Sequence, residues 1–186
     1  RALWFVHDEP ERRIDLLLRR SLVRRRSGAY AAALREVSQG LQLIDAGASD
    51  QTIRLRGRLT AERGAIRSCQ QRPREALQHA EQAEADARAV NDVETLGHAL
   101  DLIDWAHRMM GSTNESVHYR EALDIFERLG DLTGIAQVWN NLGADAFWEG
   151  RWDDAIDAYT KSQQAELRTG NDVQAAISAA NIAELY

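Results

Sequence analysis

Four breaks in otherwise helix-forming sequence, at Gly28, Gln71, Gly111 and Gly150, recur at intervals of 43, 40 and 39 residues. Each break is followed by the same set of positions. After Gly150 come Trp152, Ala155, Ile156 and Tyr159, at offsets of 2, 5, 6 and 9. The same offsets give Tyr30, Ala33, Leu34 and Val37 after Gly28, and Pro73, Ala76, Leu77 and Ala80 after Gln71. After Gly111 they give Thr113, Ser116, Val117 and Arg120. A unit of about 40 residues cannot bury its own apolar face, so a chain with this period must stack its units and let neighbours cover one another.

Each period reads as two amphipathic helices. Before Gly150, Trp139, Leu142, Gly143 and Ala146 fall at i, i+3, i+4 and i+7, which is one stripe of a 3.6-residue helix. After it, Trp152, Ala155, Ile156 and Tyr159 make the matching stripe. Pro73 stands where a helix begins, at a position that needs no backbone donor. Asn91-Asp92, Gly130-Asp131 and Gly170-Asn171-Asp172 suit a left-handed helix exit followed by an N-cap. Nothing alternates with period two over a useful length. The expectation is an all-α chain with repeats at approximately 8–46, 52–90, 92–129 and 131–169, and the first helix of a fifth at 172–186.

Trp139-x-x-Leu142-Gly143, followed by Phe147, Gly150, Trp152, Ala155 and Tyr159, resembles the tetratricopeptide repeat signature. The likeness is strongest over 132–165 and recognisable at 15–43, 58–86 and 98–126. Ala146 stands where that family usually has Tyr, Arg20 and Arg63 where it has Leu, and Gln71 replaces the break glycine. Units near 40 residues are similar to the long-helix repeats of cell-polarity adaptors and kinesin light chains. Residues 90–186 resemble still more the repeat tails of bacterial multidomain signalling proteins, attached to nucleotide-cyclase and ATPase modules. The resemblance implies an α-α superhelix of about four and a half helix-turn-helix repeats, treated as a single array over 1–186, with the first helices lining a concave groove.

By the same resemblance, groove positions fall on Gln137, Asn140, Asn141, Ala144, Phe147 and Trp148 in the fourth repeat. In the third they fall on His98, Asp101, Leu102, Trp105, Arg108 and Met109. The second repeat supplies Arg58, Glu62 and Cys69 among others, the first Arg19, Arg25 and Arg26, and the fifth Ile177, Ala180, Asn181 and Glu184. Asn carries both donor and acceptor, so Asn141 and Asn181, one period apart, suit the backbone of an extended peptide. Trp105, Phe147 and Trp148 are of the types that anchor interfaces, and Arg58 and Arg108 favour acidic groups. The Lys/Asn pattern of chaperone-binding clamps is absent, with Leu18 and Leu22 in its place. Each of these has a plainer reading. Trp105 and Trp148 can pack on a neighbouring segment or subunit, Asn140 and Asn141 can satisfy adjacent helices, and Met109 and Met110 can be core.

Catalysis has little to stand on. His98 and His107 are nine apart on one helix and so face opposite ways, whereas zinc pairs want i, i+4. Cys69 is the single cysteine, which excludes an internal disulfide and suits a reducing cytoplasm. No phosphate loop, HExxH or Gly-x-Ser-x-Gly occurs. The expected function is therefore a non-enzymatic interaction scaffold for a protein or peptide partner, with no cofactor and no metal. The alternatives are a regulatory tail of a larger signalling protein, in contact with that protein's own domains, and a self-association module giving a homodimer.

Charge bears on the partner. The net charge is −6, yet residues 1–35 hold nine Arg against Asp8, Glu9, Glu11 and Asp15. The acidic remainder argues against general nucleic-acid affinity. The longest apolar run, Ala29 to Leu34, is far too short to cross a bilayer. The opening Arg1–His7 reads as the end of a preceding helix, with Trp4 and Phe5 packing on the first repeat. In the expected setting the sequon at Asn114 is chance.

Overall fold

A computed structural model describes residues 10–44, 49–111 and 117–185. The expectations for Trp4, Phe5, Thr113, Asn114, Ser116 and Tyr186 lie outside these residues. The chain divides into two compact units, through Thr113 and from Asn114 onward, so the boundary falls inside the third sequence period. The first unit contains α1 (Pro10–Arg26), α2 (Tyr30–Gln42), α3 (Asp50–Cys69), α4 (Pro73–Ala89) and α5 (Val93–Met109). The second contains α6 (Val117–Leu129), α7 (Leu132–Trp148), α8 (Trp152–Thr169) and α9 (Asp172–Ala183). The fold is all-α, and among the described residues there is no strand.

The period is written into the backbone. All four break positions are left-handed: Gly28 at φ 75°, Gln71 at 58°, Gly111 at 78° and Gly150 at 74°. The exits between periods are left-handed as well, at Asn91 (φ 52°), Gly130 (67°) and Gly170 (73°). A left-handed residue there turns the chain and lets the last helical carbonyls find amide donors. The Arg151 amide, for example, reaches back to Ala146 O at 2.9 Å. Side-chain caps then start the next first helix. Asp92 accepts from the Thr95 amide, Asp131 from those of Thr133 and Gly134, and Asn171 from that of Gln174. Ser49 caps α3 in the same way, through the Thr52 amide. The second helices α2, α4 and α8 have no such cap and open on Tyr30, Pro73 and Trp152.

Antiparallel neighbours bury the stripes. In the first unit Ile14, Ala33, Val37, Leu59 and Ile66 form one core cluster, and Ala76, Ala80, Leu102 and Ile103 another, with Leu77 and Trp105 against it. In the second, Ala146, Ala155 and Tyr159 pack with Phe147, Ile182 and Leu185. Close approach depends on missing side chains. A Cβ at Gly143 would stand 2.7 Å from the Tyr159 ring, and one at Gly64 would stand 2.8 Å from Leu102 and 3.3 Å from the Ala76 carbonyl. Buried hydroxyls tie layers together where apolar groups do not. Ser162 Oγ donates to Ala136 O at 2.9 Å and lies 3.3 Å from Ser178 Oγ, joining α8 to α7 and α9.

Candidate partner-binding surface

In the first unit Arg58, Glu62 and Arg25, three of the expected groove residues, are spent on neighbouring first helices. Arg58 on α3 donates through Nε to Asp92 Oδ2 at 2.9 Å, and Asp92 also caps α5. One period earlier, Glu62 on α3 is buried and accepts from Ser21 Oγ at 3.0 Å and from Arg25 Nε at 3.0 and 3.1 Å, both on α1. Asp101 on α5 is buried, at 3% exposure. Trp105 packs half-buried against the cluster of Ala76, Ala80, Leu102 and Ile103, between α4 and α5. Arg108 is half-buried on the last turn of α5. Met109, Met110 and Cys69 are exposed, so the two methionines do not belong to the core.

The two buried carboxylates differ in sign. Burial pushes Glu62 above the usual glutamate value, and the opposing charge of Arg25 and the Ser21 hydrogen bond do not fully offset it. Burial also raises Asp92, but there the hydrogen bonds from Arg58 and Thr95 outweigh it, and the carboxyl sits below its usual value.

The second unit leaves more of the same face open. On α7, Gln137 is exposed, Asn140 half-buried and Asn141 buried; on α9, Ile177 and Ala180 are exposed and Asn181 is half-buried. Asn181 Nδ2 donates to Asn140 Oδ1 at 3.5 Å, so the structure pairs Asn181 with Asn140, while Asn141 is buried. Trp148 ends α7 with 80% of its surface exposed, and Phe147 beside it is half-buried. Their rings are 5.6 Å apart and nearly perpendicular, and Phe147 meets Trp152 in the same manner at 5.5 Å.

Trp152, the first member of the apolar stripe read after Gly150, is 52% exposed and does not pack between helices as Ala155 and Tyr159 do. It is the first residue of α8, immediately past the turn, and so lies at the hairpin tip rather than over the core. The distance from the break carried that information, since offset 2 lies at the first helical position. Trp139 does pack, half-buried, with Lys161 Nζ 4.2 Å above its ring and Asp157 holding the ammonium at 2.6 Å.

Among the described residues, one open depression is lined by Glu127, Ile135, Lys161 and Arg168 and another by Arg72, Pro73 and Met110. Among the described residues no group of three His, Cys, Asp or Glu side chains is placed to hold a metal ion. No helix among them is long and apolar enough to cross a membrane.

No family model matches the chain, and no curated protein matches it. Solved structures do. The chain is similar to BtubC (BKLC) from P. vanneervenii, with 14% identity, a TM-score of 0.68, and coverage of 97% of this chain and 84% of that one. It is also similar to aspartyl phosphate phosphatase F from Bacillus subtilis, with 15% identity, a TM-score of 0.71 and coverage of 95% of this chain. This chain spans 46% of that phosphatase's length. At such identities the likeness establishes the helical-repeat fold alone.

Proposed function

We propose that the chain is a non-catalytic, cytoplasmic protein-interaction scaffold of the tetratricopeptide type, whose α7–α9 face receives a peptide or helix from a partner protein. One contrast carries the reading. In the first unit Arg25 and Arg58 are taken up by Glu62 and Asp92, whereas on α9 Ile177 and Ala180 stand exposed beside a half-buried Asn140–Asn181 pair. Exposed apolar surface rimmed by amides suits an extended segment, with Ile177, 46% exposed, as the apolar contact.

The fold also occurs within a longer protein, since the chain aligns with 46% of the B. subtilis phosphatase. That observation favours, as a second reading, a regulatory segment of a larger protein whose partner is one of its own domains. Co-purification from the source cells tests the first reading. Wild type should recover a saturable partner, and Ile177→Asp should recover at least tenfold less while melting at the same temperature. Equal recovery by the variant overturns the assignment of this face. Sedimentation of the wild type across concentrations tests self-association.

A further inference from the structure

The tip of the α7–α8 hairpin presents two indoles and no core duty for either. Trp148 is 80% exposed and Trp152 52%, yet both are held in place by near-perpendicular contact with Phe147. Pre-set aromatic surface loses little entropy when a partner covers it. The residues between and after them are Glu149, Gly150, Arg151, Asp153 and Asp154. Arg151 is engaged on both sides, at 2.6 Å from Glu149 and 2.5 Å from Asp154. Asp153 is exposed and forms no ion pair among the described residues, which leaves the tip acidic. The surroundings share that sign: residues 114–186 hold thirteen acidic and five basic side chains.

The same unit already shows what such a set can hold. At Trp139 an ammonium lies 4.2 Å above the indole while an aspartate, Asp157, offsets its charge. Trp148, Trp152 and Asp153 repeat the indole and the aspartate, and among the described residues no cation lies over either ring. We propose that this tip is a docking site for a basic segment of a partner protein, an arginine or lysine side chain lying on the indole of Trp148 or Trp152 with Asp153 opposite its charge. The acidic surroundings attract such a segment and repel phosphate-rich surfaces, whether lipid or nucleic acid. The proposal rests on the reading of this chain as a partner-binding scaffold, but on side chains distinct from Ile177 and the Asn140–Asn181 pair.

Random heptapeptides displayed on phage and panned on wild type, Trp148→Ala, Asp153→Asn and Ile177→Asp test it. Trp148 and Asp153 are exposed, so both variants should melt as wild type does. Peptides that bind wild type and are lost on Trp148→Ala should carry Arg or Lys. Replacing that residue by Gln should weaken binding about tenfold, and Asp153→Asn should weaken the parent peptide and flatten its salt dependence. The proposal is overturned if no peptide is lost on Trp148→Ala, if the lost peptides lack a basic residue, or if the Gln peptide binds equally. Peptides lost on Ile177→Asp alone would leave the α7–α9 face standing and overturn the tip. A concentration-dependent mass that disappears in Trp148→Ala would assign the tip to a second copy of the chain, and overturns the proposal as well.

Discussion

Gln71 carries a side chain where the other three breaks carry none, and it does so at φ 58°. The left-handed region costs a residue with a Cβ roughly 1–2 kcal/mol, against about 0.5–1 kcal/mol of extra chain entropy lost by glycine. Gln71→Gly should therefore stabilise the first unit by about 0.5–1 kcal/mol in denaturant titration, and a decrease would mean the turn is held by the glutamine side chain. The buried carboxylates of α3 and α5 make a paired test. Glu62 titrates above its ordinary value, so its contribution to stability is full below the unfolded value and is lost as pH rises through the folded one. Glu62→Gln keeps an acceptor for Ser21 and Arg25 and should hold or raise the melting temperature at neutral pH. Asp92 has the opposite sign: its contribution is present above the unfolded value and is lost as pH falls through the depressed folded one. Asp92→Asn should keep the cap, lose about 1 kcal/mol at neutral pH with the Arg58 bridge, and match wild type in strong acid. Thermal melts across pH check both signs.

The helices show which features of the sequence were legible and which were not. Breaks, exits and caps could be read residue by residue because each is a local requirement: a left-handed φ at Gly150 or Asn91, an oxygen acceptor at Asp92, Asp131 or Asn171. The stripe logic also placed Tyr159, which is 5% exposed against Gly143. Burial beyond one stripe was not legible. Ten positions of α5 are buried, Asp101 and Leu102 among them, because a helix covered on several sides shows more than one apolar face. Nor could a period show that Arg58, Arg25 and Asn140 would be met by partners from the adjacent helix, since these partners lie 34, 37 and 41 residues away. The two aromatics of the fourth hairpin separate stability from binding. Tyr159→Ala should cost about 3–5 kcal/mol, whereas Trp148→Ala should leave the denaturation midpoint within error. A large loss in the second would place Trp148 in the core of an assembly.

Across the whole chain, the expected groove residues are divided between the two compact units. Arg58, Asp101, Trp105 and Arg108 lie in the unit through Thr113, while Gln137, Asn140, Asn141, Phe147, Trp148 and Asn181 lie in the unit from Asn114. The first set is committed to intramolecular bridges and packing at Arg58 and Trp105, and the second keeps the exposed apolar and amide surface. Charge divides along the same line, with the acidic excess in the second unit. On the proposed reading, recognition falls to α7, α9 and the α7–α8 tip, with α1–α5 as support. Hydrogen exchange read by mass spectrometry on the chain alone and with its co-purified partner tests this assignment most directly. Slowed exchange is expected in peptides covering 137–154 and 174–184, with α1–α4 unchanged. Protection confined to α1–α5, with α7 and α9 exchanging as in the free chain, would contradict it.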